Sequence, residues 1–151
     1  MSHVKYQQEF LDSVKDEALV LMQEHFQEAH PAREVYGMDI DWGAYSQLEQ
    51  IGMLKIFTSR VNDVLVGHLW VLISPNLHSR GNSTAQDDML FVTKKFRGKA
   101  GVMGLIKFAE GCLKEDGLKT FYLAATTDNP IDPLAKRMGY DKIETKFQKV
   151  L

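Results

Sequence analysis

The stretch "KKFRGKAGVMGLIKFAEG", residues 94–111, decides how the rest of the chain is read. A basic run passes into glycine-spaced small residues, and these open an amphipathic helix. From Val102 onward, Leu105, Ile106, Ala109 and Leu113 recur at helical spacing and line one face. Gly117 stands where glycine commonly ends a helix. A helix start leaves backbone N–H groups without partners and carries partial positive charge. Small residues let an anion approach that backbone closely. Gly98, Ala100 and Gly101 are the small residues here, and Lys94, Lys95, Arg97 and Lys99 add charge. The simplest ligand for such an end is a phosphate or pyrophosphate. Glycines at a strand–helix junction also serve simply as turns, and basic residues as a solvated face. The stretch by itself leaves both readings open.

Upstream, "MLKIFTSR" and "VLVGHLWVLIS" are rich in β-branched and aromatic residues and flank "VND", a hairpin turn. "PNLHSRGNST" is a polar loop, and "AQDDMLFV" reads as a third strand, which makes an antiparallel meander. Phe10, Val14, Ala18, Leu21, Met22 and Phe26 predict a first helix over residues 7–29, stopped by Pro31. A short second helix is expected over residues 42–51, with Gly52 after its end. Downstream, "KTFYLAATT" reads as a strand, so strand, helix and strand form a parallel crossover, expected to be right-handed. "DNPIDPLAKRMG" holds a short helix with Pro133 in its first turn, and "YDKIETKFQKVL" reads as one or two final strands. The expectation is a single α+β domain over residues 1–151: a mixed, mostly antiparallel sheet with one parallel β-α-β crossover, flanked by helices.

Composition narrows the partners. The 151 residues are 44% hydrophobic and 25% charged, which suits a folded core. A net charge of −2 argues against a general nucleic-acid binder. The single cysteine, Cys112, excludes an internal disulfide and fits a reducing compartment. "MSHVKYQQEF" lacks the apolar core of a signal peptide, and "VLVGHLWVLI" is too short to span a bilayer. The expectation is a cytoplasmic protein with no membrane or nucleic-acid partner; an oligomer is compatible with all of this.

Among phosphate binders, the P-loop pattern fails because Lys99 is followed by Ala100. The dinucleotide fingerprint fails because Glu115 and Asp116 fall at a helix end, where that motif places an acid at a strand end. "MLFVTKKFRGKAGVMGLIKFAE" instead resembles motif A of the GCN5-related N-acetyltransferases, with a strand ending at Val92, Arg97 five residues on, and a small-residue loop opening a helix. "LAKRMGYDKI" resembles that family's late helix, turn and strand, and the element order matches along nearly the whole chain. "SPNLH", "RGKAGVMGLIKFAE" and "RMGY" are similar to small acetyltransferase-like proteins of tailed bacteriophages. "HVKY" is the only candidate for the family's first strand.

The resemblance implies acetyl-CoA as co-substrate, lying between splayed strands "DDMLFV" and "FYLAATT". It implies that pantetheine pairs with the backbone around Leu90, Phe91 and Val92, and that the diphosphate takes amides from Arg97, Gly98, Lys99, Ala100, Gly101 and Val102. An amine, on a small molecule or a protein, would attack the thioester directly, with Asp87 or Asp88 as general base. The alternative is a non-catalytic protein on the same fold that binds CoA or a partner, with a host or virion protein as the partner if the chain is phage-encoded. Two departures favour it. Ala100 stands at the family loop's glycine position and Val102 at its last, glycine-or-alanine position, with Gly101 and Gly104 one and two positions late. Ala135 stands where the family often has a tyrosine acid. Strand alternation puts Asp87 and Asp88 on opposite faces, with Asp88 grouped with Leu90 and Val92, and Asp87 with Met89 and Phe91. Trp42 and Tyr45 are candidates to border an acceptor groove, and Asp39 and Asp41 to give its mouth negative charge. His78 is a weaker candidate for substrate contact, whereas His68 and Cys112 read as packed residues. His25 and His30 miss the i, i+4 spacing of a helical metal pair, so no metal site is expected.

Overall fold

The structure, a computed structural model, describes residues 3–29, 35–126 and 130–151. In chain order the elements are β1 (Val4–Glu9), α1 (Leu11–Ala29), α2 (Trp42–Gln50), β2 (Leu54–Val61), β3 (Val64–Pro75) and β4 (Ser83–Val92). A 3₁₀ turn (Lys94–Phe96) and a π turn (Arg97–Gly101) then lead into α3 (Val102–Glu115), β5 (Phe121–Tyr122) and α4 (Asp132–Arg137). The sheet order is β1-β2-β3-β4-β5. The first four strands are antiparallel, and β4 pairs with β5 in parallel. This is the mixed α+β fold expected from the sequence.

The meander is closed by local chemistry. Asn62 and Asp63 adopt φ of 49° and 64°, as a two-residue hairpin requires, and the right-handed strand twist favours that turn. Helices cover both faces. On one, Val14, Ala18, Leu21 and Met22 of α1 pack on Ile56, Trp70 and Phe91. On the other, Leu105, Ile106, Ala109 and Leu113 of α3 pack on Phe57, Leu69 and Val92. Burying each of the Val, Leu, Ile and Met side chains contributes roughly 1.5–3 kcal/mol. No helix among the described residues is long and apolar enough to cross a membrane.

Three expectations are corrected. The first helix begins at Leu11, because residues 4–9 form an edge strand paired from Val4 opposite Val61 to Glu9 opposite Ile56. That strand carries few apolar residues, so its period of two is faint, and Phe10 is left 67% exposed outside the helix. The strand expected from "KTFYLAATT" shortens to Phe121 and Tyr122. Residues 141–151 form no strand and are exposed throughout. A strand needs a ladder partner, and β5 ends too early to supply one. Pro31 and His30 lie outside the described residues.

Candidate active site

Two adjacent aspartates open the sheet at one place. The β3–β4 register runs from Gly67 opposite Val92 to Trp70 opposite Met89, then resumes at Val71 opposite Asp87, so Asp88 is the extra residue of a β-bulge. On the other edge, β4 and β5 pair at Ala85–Phe121 and Gln86–Tyr122, and among the described residues no further. One more step of a parallel ladder would bring the Ala124 amide to the Asp87 carbonyl. That amide donates instead to the Asp87 side chain, Oδ1, at 2.9 Å. A carboxylate thus stands in for a backbone carbonyl and holds the strands a side chain apart. Past it, the backbone of residues 89–92 has no ladder partner from β5 among the described residues.

The bulge also reverses the expected grouping of the pair. Opposite directions hold, but Asp88 accepts a short hydrogen bond from the Tyr45 hydroxyl of α2, on the side where Met89 packs. Asp87 lies toward β5 and Tyr140, on the side of Leu90 and Val92. Strict alternation misplaced them because one inserted residue shifts the phase of everything before it. Burial pushes the Asp87 carboxyl up to about 6, against the pull of the Ala124 amide. Burial, and then Asp88, raise the Tyr45 hydroxyl far above its ordinary range.

The helix start beside this gap is irregular. Residues 97–101 turn with π geometry, which takes up one more residue than an α turn. A Cβ on Gly101 would lie 1.9 Å from the Phe96 carbonyl oxygen, so the π turn itself demands glycine there. Gly104 answers a different need: a Cβ there would lie 2.0 Å from the hydroxyl oxygen of Tyr6 in β1. Gly98 is different again, exposed and with nothing within 4 Å of a built Cβ. Val102 is half-buried against the α3 core. Leu90 is half-buried, while the Phe91 and Val92 side chains are buried, so these residues offer an outside molecule their backbone edge. The side chains of Lys99 and Ala100 lie outside the described set. An open strand edge leading to a helix start with an unobstructed glycine fits an extended thiol cofactor that carries a diphosphate along its length.

Arg97 is placed unlike a free ligand for phosphate. Its Nε donates to the Val92 carbonyl at 2.6 Å, and its two Nη groups donate to the two Glu28 oxygens at 2.9 and 2.7 Å. Glu28 lies 69 residues away in sequence, so no local spacing announces it. The hydroxyl of Tyr140 donates to Glu110 of α3 at 3.1 Å, and its ring packs edge-on against Phe121. Tyr45 packs edge-on against Trp70 at 5.0 Å, and Trp42 lies 6.4 Å from Tyr45, so these rings do flank the Asp88 side of the gap. Asp39 and Asp41 are exposed, and Asp41 caps α2 through the Ala44 amide at 2.9 Å.

His68 is fully buried, with Nδ1 accepting from the Trp70 indole at 3.1 Å. Burial pulls its value down to about 3, so it stays neutral. His78 sits in the exposed turn before β4. Cys112 is half-buried on α3, with burial raising its thiol.

The fold is similar to that of solved acetyltransferases. Among solved structures, the chain is similar to a ribosomal-protein-alanine N-acetyltransferase from Brucella melitensis biovar Abortus 2308, with a TM-score of 0.75 and 21% identity over 98% of this chain and 99% of that one. It is likewise similar to an aminoglycoside acetyltransferase from an uncultured soil metagenomic sample, solved with sisomicin, at TM-score 0.76 and 16% identity over 98% and 96%. A third is a predicted acetyltransferase from Clostridium acetobutylicum, solved with acetyl-CoA, at TM-score 0.72 and 11% identity over 98% and 96%. No protein-family profile matches the chain. No curated protein matches it.

Proposed function

We propose that the chain is an N-acetyltransferase that moves the acetyl group of acetyl-CoA to an amine within one ternary complex. The observation that carries this reading is the parting of β4 from β5 at Asp87, directly beside the π-turned start of α3. Acetyl-CoA supplies an activated thioester. The backbone of Leu90, Phe91 and Val92 gives its pantetheine arm an edge to pair with. Amides in residues 97–102 face the diphosphate, as helix-end electrostatics favours. That similar folds were solved with acetyl-CoA and with CoA supports this choice of cofactor.

Asp87 serves as general base, taking a proton from the incoming ammonium directly or through one water. Its value near 6 keeps it mostly ionised at neutral pH, yet a stronger base than an ordinary carboxylate. The free amine attacks the thioester carbon, the C–N bond forms and the C–S bond breaks, and the second proton, lost from nitrogen as the amide forms, passes through water to the departing thiolate. Asp88, fixed by Tyr45, forms the acceptor wall with Trp42 and favours a cationic amine. The similar structure that holds an aminoglycoside supports a small polyamine as the first acceptor to try.

One observation favours a second reading, a CoA-binding protein without turnover. Ala135 offers no acid, and the Tyr140 hydroxyl donates to Glu110. A single pair of measurements decides. Acetyl-CoA at 100 times its dissociation constant should add about 2.7 kcal/mol to stability. No shift in melting temperature overturns both readings. A shift with thiol release on an amine panel supports the enzyme, and a shift without release supports the binder.

A further inference from the structure

Arg97 is the residue that a sequence reading gives to the diphosphate, yet its donors are already committed. A guanidinium has five N–H bonds in a fixed fork. Here Nε reaches the Val92 carbonyl at the end of β4, and the two Nη groups clasp both oxygens of Glu28 in the last turn of α1. Its flat face lies over the Phe91 ring, 5.1 Å from the centroid, and His25 of α1 stacks on the same ring at 5.3 Å. One side chain therefore ties three elements together where β4 turns into α3.

We propose that Glu28 is a positioning residue for the cofactor: acting through Arg97, it fixes the π turn against the end of β4, so that backbone amides, not the guanidinium, meet the diphosphate. This inference rests on the proposed CoA site. The geometry supports it in two ways. A diphosphate recruiting Arg97 would have to break a bidentate carboxylate pair and a 2.6 Å bond to the backbone. The pair is also about 30% exposed on each side, where an ion pair adds little stability, so its main effect is on geometry.

Charge and position predict opposite outcomes, which makes the test clean. Removing a carboxylate near an anion site should tighten CoA binding if electrostatics alone governs. If Glu28 positions the loop, Glu28→Ala weakens CoA binding by on the order of tenfold, because small misplacements of binding groups carry penalties of that size. Glu28→Gln keeps one acceptor and should fall between. Arg97→Lys keeps the charge but loses the fork, and should weaken CoA binding nearly as much as Arg97→Ala. Titration calorimetry with CoA reads all four, with melting of the free proteins confirming that each folds. In turnover, KM for acetyl-CoA should rise while kcat and KM for the amine stay within twofold or so. Failure of the unaltered protein to bind CoA overturns the site itself. Normal binding by the unaltered protein, with Glu28→Ala unchanged or tighter, or with Arg97→Lys at full affinity, overturns this inference alone.

Discussion

The two edges of the sheet are built to opposite ends. At the β1–β2 edge, Arg60 is gripped by Glu9 at 2.9 and 3.1 Å and by Glu17 at 3.0 Å, and it also donates to the Asp63 carbonyl at 2.7 Å. Burial by itself would raise Glu9, but Arg60 and Thr58 hold it below its ordinary value. The ladder there is continuous from Val4 to Glu9. At the β4–β5 edge the ladder stops after two residues, a carboxylate replaces the next carbonyl, and one arginine is shared between Glu28 and the backbone. Both edges use charge near backbone, yet one closes the sheet and the other opens it. Ionic contacts are dense along the continuous ladder, and unpaired backbone is left beside the short one.

Replacing Asp87 by Asn should separate the two purposes most strongly. On the proposed role of Asp87 as general base, its loss lowers kcat by roughly 10²–10⁴-fold. Stability moves the other way. The folded value of about 6 lies above the ordinary 3.8, so Asp87 supports folding fully below the latter and loses that support as pH rises through 6. Asn keeps an acceptor for Ala124 without the buried charge, and should raise stability at neutral pH by up to about 3 kcal/mol. On the same proposal, kcat/KM of the unaltered protein should fall with an apparent ionisation near 6 as pH drops.

Arg60→Ala attacks the closed edge. It strands Glu9, whose side chain is only 11% exposed, and should destabilise by about 3 kcal/mol, seen in urea melts. CoA affinity should stay unchanged in the same protein. Equal losses of stability and affinity would mean that the two edges are not independent.

Two glycines in one turn sharpen the contrast. Gly101→Ala drives a Cβ into the Phe96 carbonyl and should lower stability by about 1–3 kcal/mol. Gly98→Ala meets nothing and should leave the melting temperature as it is or slightly higher, but weaken CoA binding if the diphosphate lies against that backbone.

The smallest effect lies in the core between the edges. His68 is neutral in the fold at a value near 3 and ordinary when unfolded. Its contribution is complete above about pH 6.5 and lost as pH falls toward 3. The loss near pH 5.5 should be about 1.4 kcal/mol. His68→Gln should flatten acid denaturation over that interval.

These contrasts also explain what the sequence revealed. The meander, α2 and α3 were legible because β-branched runs, the Asn62–Asp63 turn and the Leu105, Ile106, Ala109 spacing each point one way. β1 was legible only as the candidate "HVKY" and not in its length to Glu9, since an edge strand with one covered face leaves little pattern in six residues. The final strands failed because apolar residues such as Ile143 and Phe147 form a ladder only if a neighbour continues, and β5 does not. At the site, the helix start and Asp87 were visible as residue types. The bulge that turns Asp88 to Tyr45 was not, because alternation carries no mark of an inserted residue. Glu28 was invisible for a simpler reason: its partner lies in another part of the chain.

Hydrogen exchange with and without saturating acetyl-CoA tests the open edge most directly. The account predicts that amides in residues 89–92 and 97–102 slow markedly on binding, while those of the β1–β2 ladder slow no more than the overall gain in stability requires. Binding with no protection in either segment would contradict it.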